Sequence, residues 1–155
     1  VGSDGVVAVA ATTYGVLPGQ TGTGSVSAFV RTYDASGVLL WTRQFGGNAG
    51  VVGYGVSIAN TGRVLVAGRA ESSLLGQTED GFQDAFLVTY DPAGTLLRTR
   101  LFGTAEMGQS GADAALAVSS SSTGHTFLVG QVRYALPGST ELGGGDAFLR
   151  AIYTP

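Results

Sequence analysis

The chain writes one passage twice. "SAFVRTYDASGVLLWTRQFG" occupies residues 27–46 and "DAFLVTYDPAGTLLRTRLFG" residues 84–103, with twelve of twenty positions identical. A shorter echo, "DAFLRAIY", covers 146–153, so Ala28, Ala85 and Ala147 correspond at offsets of 57 and 62. The phrases "LPGQTG" (17–22), "LLGQTE" (74–79) and "LPGSTE" (136–141) obey the same two offsets. Repetition at this period constrains the fold strongly, because each unit is one supersecondary element that buries its faces by stacking on its neighbours. The units run approximately 1–52, 53–110 and 111–155. The second offset exceeds the first by five, and "VSSSSTGHT" set beside "IANTGRV" places most of the extra residues in that turn.

Each unit parses into four short segments bounded by turn residues. The first is "GYGVSIA" (53–59) and "ADAALAV" (112–118), small and apolar; the second is "GVVAVAAT" (5–12), "RVLVAGRA" (63–70) and "HTFLVGQVR" (125–133). The third is the "AFVRTYD" family, and the fourth is "VLLWTRQF" (38–45) and "TLLRTRLF" (95–102). Their length and their Val, Phe, Tyr and Thr content suit strands, and no window carries a helical stripe. "YDASG" (33–37) and "YDPAG" (90–94) are hairpin turns, with Asp bonding its own backbone, Pro92 presetting φ and Gly closing the turn.

In "RVLVAGRA", Val64 and Val66 point to one face and Leu65 and Ala67 to the other, so both faces are apolar. That suits a sheet held between two neighbours, and the small first segment suits the crowded innermost strand of a radial array. The expected fold is all-β: a β-propeller-type array of about three successive four-stranded antiparallel blades. The first and last blades are incomplete, because the strands count 3, 4 and 3. A chain that starts at a second strand and ends at a third leaves open edges. Those edges invite pairing with other copies of itself or with flanking repeats, so a longer polypeptide or an oligomer is expected.

The pattern "DAFLVTYDPAGTLLRTRLFG" with its upstream "RVLVAG" strand resembles the bacterial β-propeller repeat family often abbreviated SBBP. The resemblance covers the chain as three successive copies, with Ser27 in place of the first Asp and Arg98 in place of the Trp seen at Trp41. It implies a propeller fold in an exported or surface-associated bacterial protein, and it implies no particular chemistry.

Composition excludes several classes. The eight basic residues, all Arg, form no basic stripe, and with 11 acidic residues they leave a net charge of −3, which argues against nucleic-acid binding. Without Cys there is no thiolate zinc site or disulfide framework. No apolar run approaches the roughly 20 residues of a membrane span.

Function is expected on the long connections 13–26, 71–83 and 134–145, which share one end of the array with 46–52 and 103–110. Tyr14, Phe82 and Tyr134 lie on or beside them. They offer stacking surfaces for a carbohydrate or peptide, while Tyr14 and Tyr134 equally suit stapling of a loop to its blade. Asp80, Asp84 and Asp146, near Glu79 and Glu141, supply oxygen donors of the kind Ca²⁺ takes, although Asp84 and Asp146 equally suit turn capping. "GQTGTG" (19–24) lacks the helix and Lys of a phosphate loop and reads as a turn. His125, the single histidine, stands at a strand entrance, where a surface role outweighs that of a hydrolase base. The expected function is therefore a non-enzymatic extracellular or surface scaffold for assembly or adhesion, with glycan or peptide binding as the alternative.

Overall fold

The computed structural model describes residues 1–22, 26–46, 49–78, 82–104, 112–134, 140 and 143–153. Among them are ten strands and no helix. Sheet one has the order β1 (Val7–Thr13), β2 (Ser27–Tyr33), β3 (Leu39–Phe45). Sheet two continues with β4 (Val51–Ile58), β5 (Val64–Ala70), β6 (Asp84–Tyr90) and β7 (Leu96–Phe102). Sheet three contains β8 (Ala114–Ser120), β9 (His125–Val132) and β10 (Asp146–Tyr153). Every pairing is antiparallel between strands adjacent in sequence, so the chain is all-β in three meanders of three, four and three strands.

The repeat extends to the irregularities. The β2–β3 ladder breaks register after Thr32 and the β6–β7 ladder after Thr89, an offset of 57. The bulge between Gly53 and Gly55 in β4 recurs between Ala115 and Ala117 in β8, an offset of 62. Since Phe45 maps to Phe102 and Val52 to Ala114, the five extra residues lie in the 103–113 connection. They do not lie in "VSSSSTGHT". That turn repeats its counterpart bond for bond: Ala59 N donates to Arg63 O and Gly62 N to Ala59 O, as Ser121 N donates to His125 O and Gly124 N to Ser121 O. The serine run misleads because Ser119 and Ser120 belong to β8, where the Ser120 hydroxyl lies 3.3 Å from that of Ser57 on β4. The first segments accordingly shift to Val51–Ile58 and Ala114–Ser120.

Sheet two lies between the other two. One core gathers Ala28, Val30 and Phe45 of sheet one with Val64, Val66, Phe86, Val88 and Tyr90 of sheet two. The second gathers Leu65, Ala67, Ala85 and Leu87 from the opposite face of sheet two with Leu128, Val132, Phe148 and Ile152 of sheet three. Alternation along β5 and β6 sends successive side chains into different cores, and all seven residues of β6 are buried. Each large apolar side chain so buried contributes about 1.5–3 kcal/mol. Both interfaces repeat an edge-to-face aromatic pair, Phe45 on Phe86 at 5.8 Å and Phe102 on Phe148 at 5.9 Å. Trp41 Nε1 donates to Pro92 O at 2.8 Å and Arg43 Nε to Gly94 O at 2.7 Å, which ties β3 to the β6–β7 turn. These outer-strand groups hold one sheet to the next.

The two first strands, β4 and β8, pack on each other, and a Cβ added at Gly55 would meet the Leu116–Val118 backbone; β4 also packs on β1, as β8 does on β5. Close approach also explains Gly68 and Gly130. A Cβ at Gly68 would overlap the Val52 carbonyl and meet the Phe86 ring at 2.7 Å; at Gly130 it would overlap the Ala114 carbonyl and meet Phe148 at 2.8 Å. The equivalent residue of sheet one is Ala11, on β1, which among the described residues is an edge strand of that sheet.

Candidate functional site

The long connections cluster at one end of the three sheets. Val51 N donates to Val26 O and Asp113 N to Gln83 O, so the first two loops each meet the entry to the next sheet, and Glu71 N donates to Gly50 O, which joins the start of the second loop to the approach to β4. The recurrent phrase forms tight turns there. In unit one, Gln20 N donates to Leu17 O across Pro18 and Gly19, whose φ of 73° suits a type II turn. Gln44 on β3 clamps this loop, accepting from Leu17 N at 2.9 Å and donating to Gly15 O at 3.0 Å. In unit two, Leu74 and Gln77 exchange both backbone bonds across Leu75 (φ 47°) and Gly76 (φ 84°), a turn with two left-handed residues. Leu74 is buried as its anchor. In the third copy, Leu136 and Gly138 lie outside the described residues.

Leu75 is a bulky residue in a conformation that costs an L-residue about 1–2 kcal/mol. Its side chain is partly exposed, so little burial is at stake. Leu75→Asn is expected to stabilise the chain by about 1 kcal/mol and raise its thermal midpoint by about 3 °C. An unchanged or lower midpoint in calorimetry would contradict the left-handed turn.

The three candidate aromatics occupy separate loops. Tyr14, just beyond β1, is 84% exposed, and Phe82, just before β6, is 58% exposed. Tyr134, just beyond β9, is half-buried. The stapling reading therefore does not hold for Tyr14. No ring contact joins the three among the described residues.

Of the candidate metal ligands, Asp84 and Asp146 open β6 and β10 at equivalent positions of different sheets. Asp84 is buried and Asp146 half-buried, while Asp80, Glu79 and Glu141 lie outside the described residues. Among the described residues no three His, Asp or Glu side chains gather as a metal group. The buried Asp84 and Asp113 carboxylates both lie beside Gly103, where an added Cβ would meet each of them. Asp113 is 1% exposed and committed to the chain itself. Its Oδ2 accepts from Thr104 N at 2.6 Å and Thr104 Oγ1 at 2.9 Å, and its Oδ1 accepts from Arg133 N at 2.7 Å. It thereby pins the β7–β8 connection to the end of β9. Beside it, Arg69 donates to Gln83 and Gln83 donates to Glu71, each at 3.0 Å, which closes a part-buried polar ring. In sequence Asp113 is one polar residue in the apolar "ADAALAV" segment, and its role is not visible there because the partners lie nine and twenty residues away.

His125 belongs to the opposite end, where it opens β9 beside the β8–β9 turn. Its backbone N donates to Ser121 Oγ, its Nδ1 lies 3.1 Å from Thr123 Oγ1, and its ring contacts Phe127 and Tyr153. Asp34 and Asp91 hold two other turns of that end, β2–β3 and β6–β7. Asp34 Oδ1 accepts from Ser36 N and Val38 N, and Asp91 Oδ1 accepts from Thr95 N at 2.7 Å. Backbone donation, chiefly from Thr95, holds the Asp91 carboxyl below its ordinary 3.8. A depressed carboxyl supports the fold above its unfolded-state value and loses that support as pH falls through the folded-state value. The Thr95 amide resonance is expected to titrate with a midpoint below 3.8; a midpoint at or above it would contradict the turn.

No helix of the described residues is long and apolar enough to cross a membrane. No family model matches the chain. The chain is 29% identical over 150 residues to the regulatory protein FlaEY of Caulobacter vibrioides, covering 89% of this chain and 15% of that protein.

Proposed function

We propose that the chain is a non-enzymatic repeat module of β-propeller type in a bacterial extracellular or surface protein, serving as a scaffold for assembly or adhesion. One observation carries this reading: sheet two is covered on both faces, with the same strand register and the same aromatic pair at each interface. An interface repeated in this way is that of a stack of like units. Close packing of the two first strands, β4 and β8, supports a radial arrangement with first strands innermost. Propellers use about four to eight blades, so three sheets call for further units. The match to FlaEY, confined to 15% of its length, supports such a segment within a longer protein. The bacterial surface setting rests on the repeat resemblance. A scaffold role is supported by how the polar groups are used: Asp113 holds backbone donors and His125 holds a turn.

A second reading, carbohydrate or peptide binding by the long-loop end, is favoured by the exposure of Tyr14 and Phe82. A glycan array and a peptide panel separate the two. The scaffold reading expects no retained ligand; binding that is lost in Tyr14→Ala or Tyr134→Ala would replace it with the second.

A further inference from the structure

We propose that the outward face of sheet three is the seat of one further unit of this repeat, entering with a small-residue innermost strand. The inference rests on the stacked-repeat reading and names the partner of one particular face. On that face, Phe127, Val129 and Leu149 are exposed, Leu149 by 70%. One unit back, at an offset of 62, the same positions are Leu65, Ala67 and Leu87, all buried beneath sheet three. A further 57 residues back they are Ala8, Ala10 and Val30, packed against sheet two. Two of the three equivalent faces are thus covered by the next unit, and the third carries Phe and Val where sheet two has Leu and Ala, and Leu where sheet two has Leu.

The backbone repeats the message. Val51 N, entering β4, donates to Val26 O, and Asp113 N, leading into β8, donates to Gln83 O. The third member of the series 26, 83, 145 is Gly145. It lines an open hollow of about 460 Å³ together with Leu116, Gly130, Gln131, Arg133 and Ala147. Over sheet two the corresponding ground is taken by β8, which packs on β5 and β6 and begins with Ala114 and Ala115. Over sheet one it is taken by β4, where Gly53 brings the backbone close to Ala28 and the Ala11 carbonyl. The occupant therefore leads with a strand that has Gly or Ala at its bulge and an N–H for the Gly145 carbonyl. A second copy of the chain fits less well. The first strand of its sheet one is β1, the counterpart of β5 rather than of β4, and its outer face carries Arg31 where sheet two has Val88.

The chain lacks cysteine, so Leu149→Cys creates a single reporter thiol on this face. Its maleimide labelling is compared in the 155-residue chain and in a chain that continues after Tyr153 with a second copy of residues 92–153. That continuation supplies the fourth strand of sheet three and the next three strands. The expected result is labelling at least about tenfold slower in the extended chain, because the thiol reacts only on local opening. Val16→Cys, remote from this face, should label equally in both. Equal rates at position 149 would overturn the proposal. So would an extension that stays exchange-labile while the ten original strands are protected. Protection of the 155-residue chain that grows with concentration would assign the seat to a second copy and overturn it as well. None of these outcomes depends on whether the long-loop end binds glycans, so the two readings fail separately.

Discussion

Gly68→Ala is expected to destabilise the chain by about 3 kcal/mol, the upper part of the range for an overpacked core, and to lower its thermal midpoint by roughly 10 °C. The added methyl would overlap the Val52 carbonyl while pressing on the Phe86 ring at 2.7 Å, so neither backbone nor ring can yield alone. Phe86 is fully buried and paired edge-to-face with Phe45, and a shift of its ring would loosen the core between sheets one and two. Gly130→Ala should behave alike at the second interface, against the Ala114 carbonyl and Phe148. Gly143→Ala is the control, since nothing lies within 4 Å of a Cβ there. Ala11→Gly, at the equivalent position of sheet one, should cost no more than about 1 kcal/mol, the ordinary penalty of Gly in a strand. If chemical denaturation finds Gly68→Ala and Gly143→Ala equally stable, a first-strand carbonyl does not lie over Gly68.

The second large effect is expected at Asp113. Removing its carboxylate in Asp113→Ala leaves the Thr104 N–H, the Thr104 hydroxyl and the Arg133 N–H without their acceptor. Hydrogen bonds to a charged group contribute about 1.5–3 kcal/mol each, and a donor abandoned in a buried site costs about as much as the bond. A loss of about 3 kcal/mol is expected, with faster amide exchange at Thr104 and Arg133. Asp113→Asn keeps one acceptor oxygen but turns an NH₂ toward a donor, so it should recover only part of the loss. Native exchange rates at both amides in the Ala variant would show that Asp113 does not pin the two segments.

Legibility differed from residue to residue. Identity between 27–46 and 84–103 made the hairpins plain, and the Asp34 and Asp91 turns form with the bonds that "YDASG" and "YDPAG" predict. These features are local: Asp, Gly and Pro act on backbone within four residues. The first strand of each unit was harder to read. "VVGYGVSI" and "AALAVSS" share little side-chain identity, and their equivalence lies in a common bulge and a common neighbour. For that reason the five-residue insertion reads from the serines as a turn, although it lies beyond β7. Gly68 shows the same limit, since from sequence it is one of 26 glycines. Only the carbonyl across the strand pair sets it apart.

The candidate site divides along the same line. Placing the long connections at one end follows from strand alternation alone, and the exposure of Tyr14 and Phe82 agrees with it. Burial of Asp84 and Asp113 beside Gly103 does not follow from sequence, because it joins residues from β6, the end of β7 and the approach to β8.

The sequence by itself determined that the chain is a threefold repeat of short antiparallel strands, with 3, 4 and 3 strands per unit and hairpins at known positions. Period, alternation and turn chemistry act over distances of a few residues, so they can be read along the chain. The tertiary structure decided which faces are covered and which are open. It buried Leu65 and Leu87 and left Phe127 and Leu149 exposed at equivalent positions. The side chains are of one kind in the two units; what differs is whether a neighbouring sheet is present to exclude water from them.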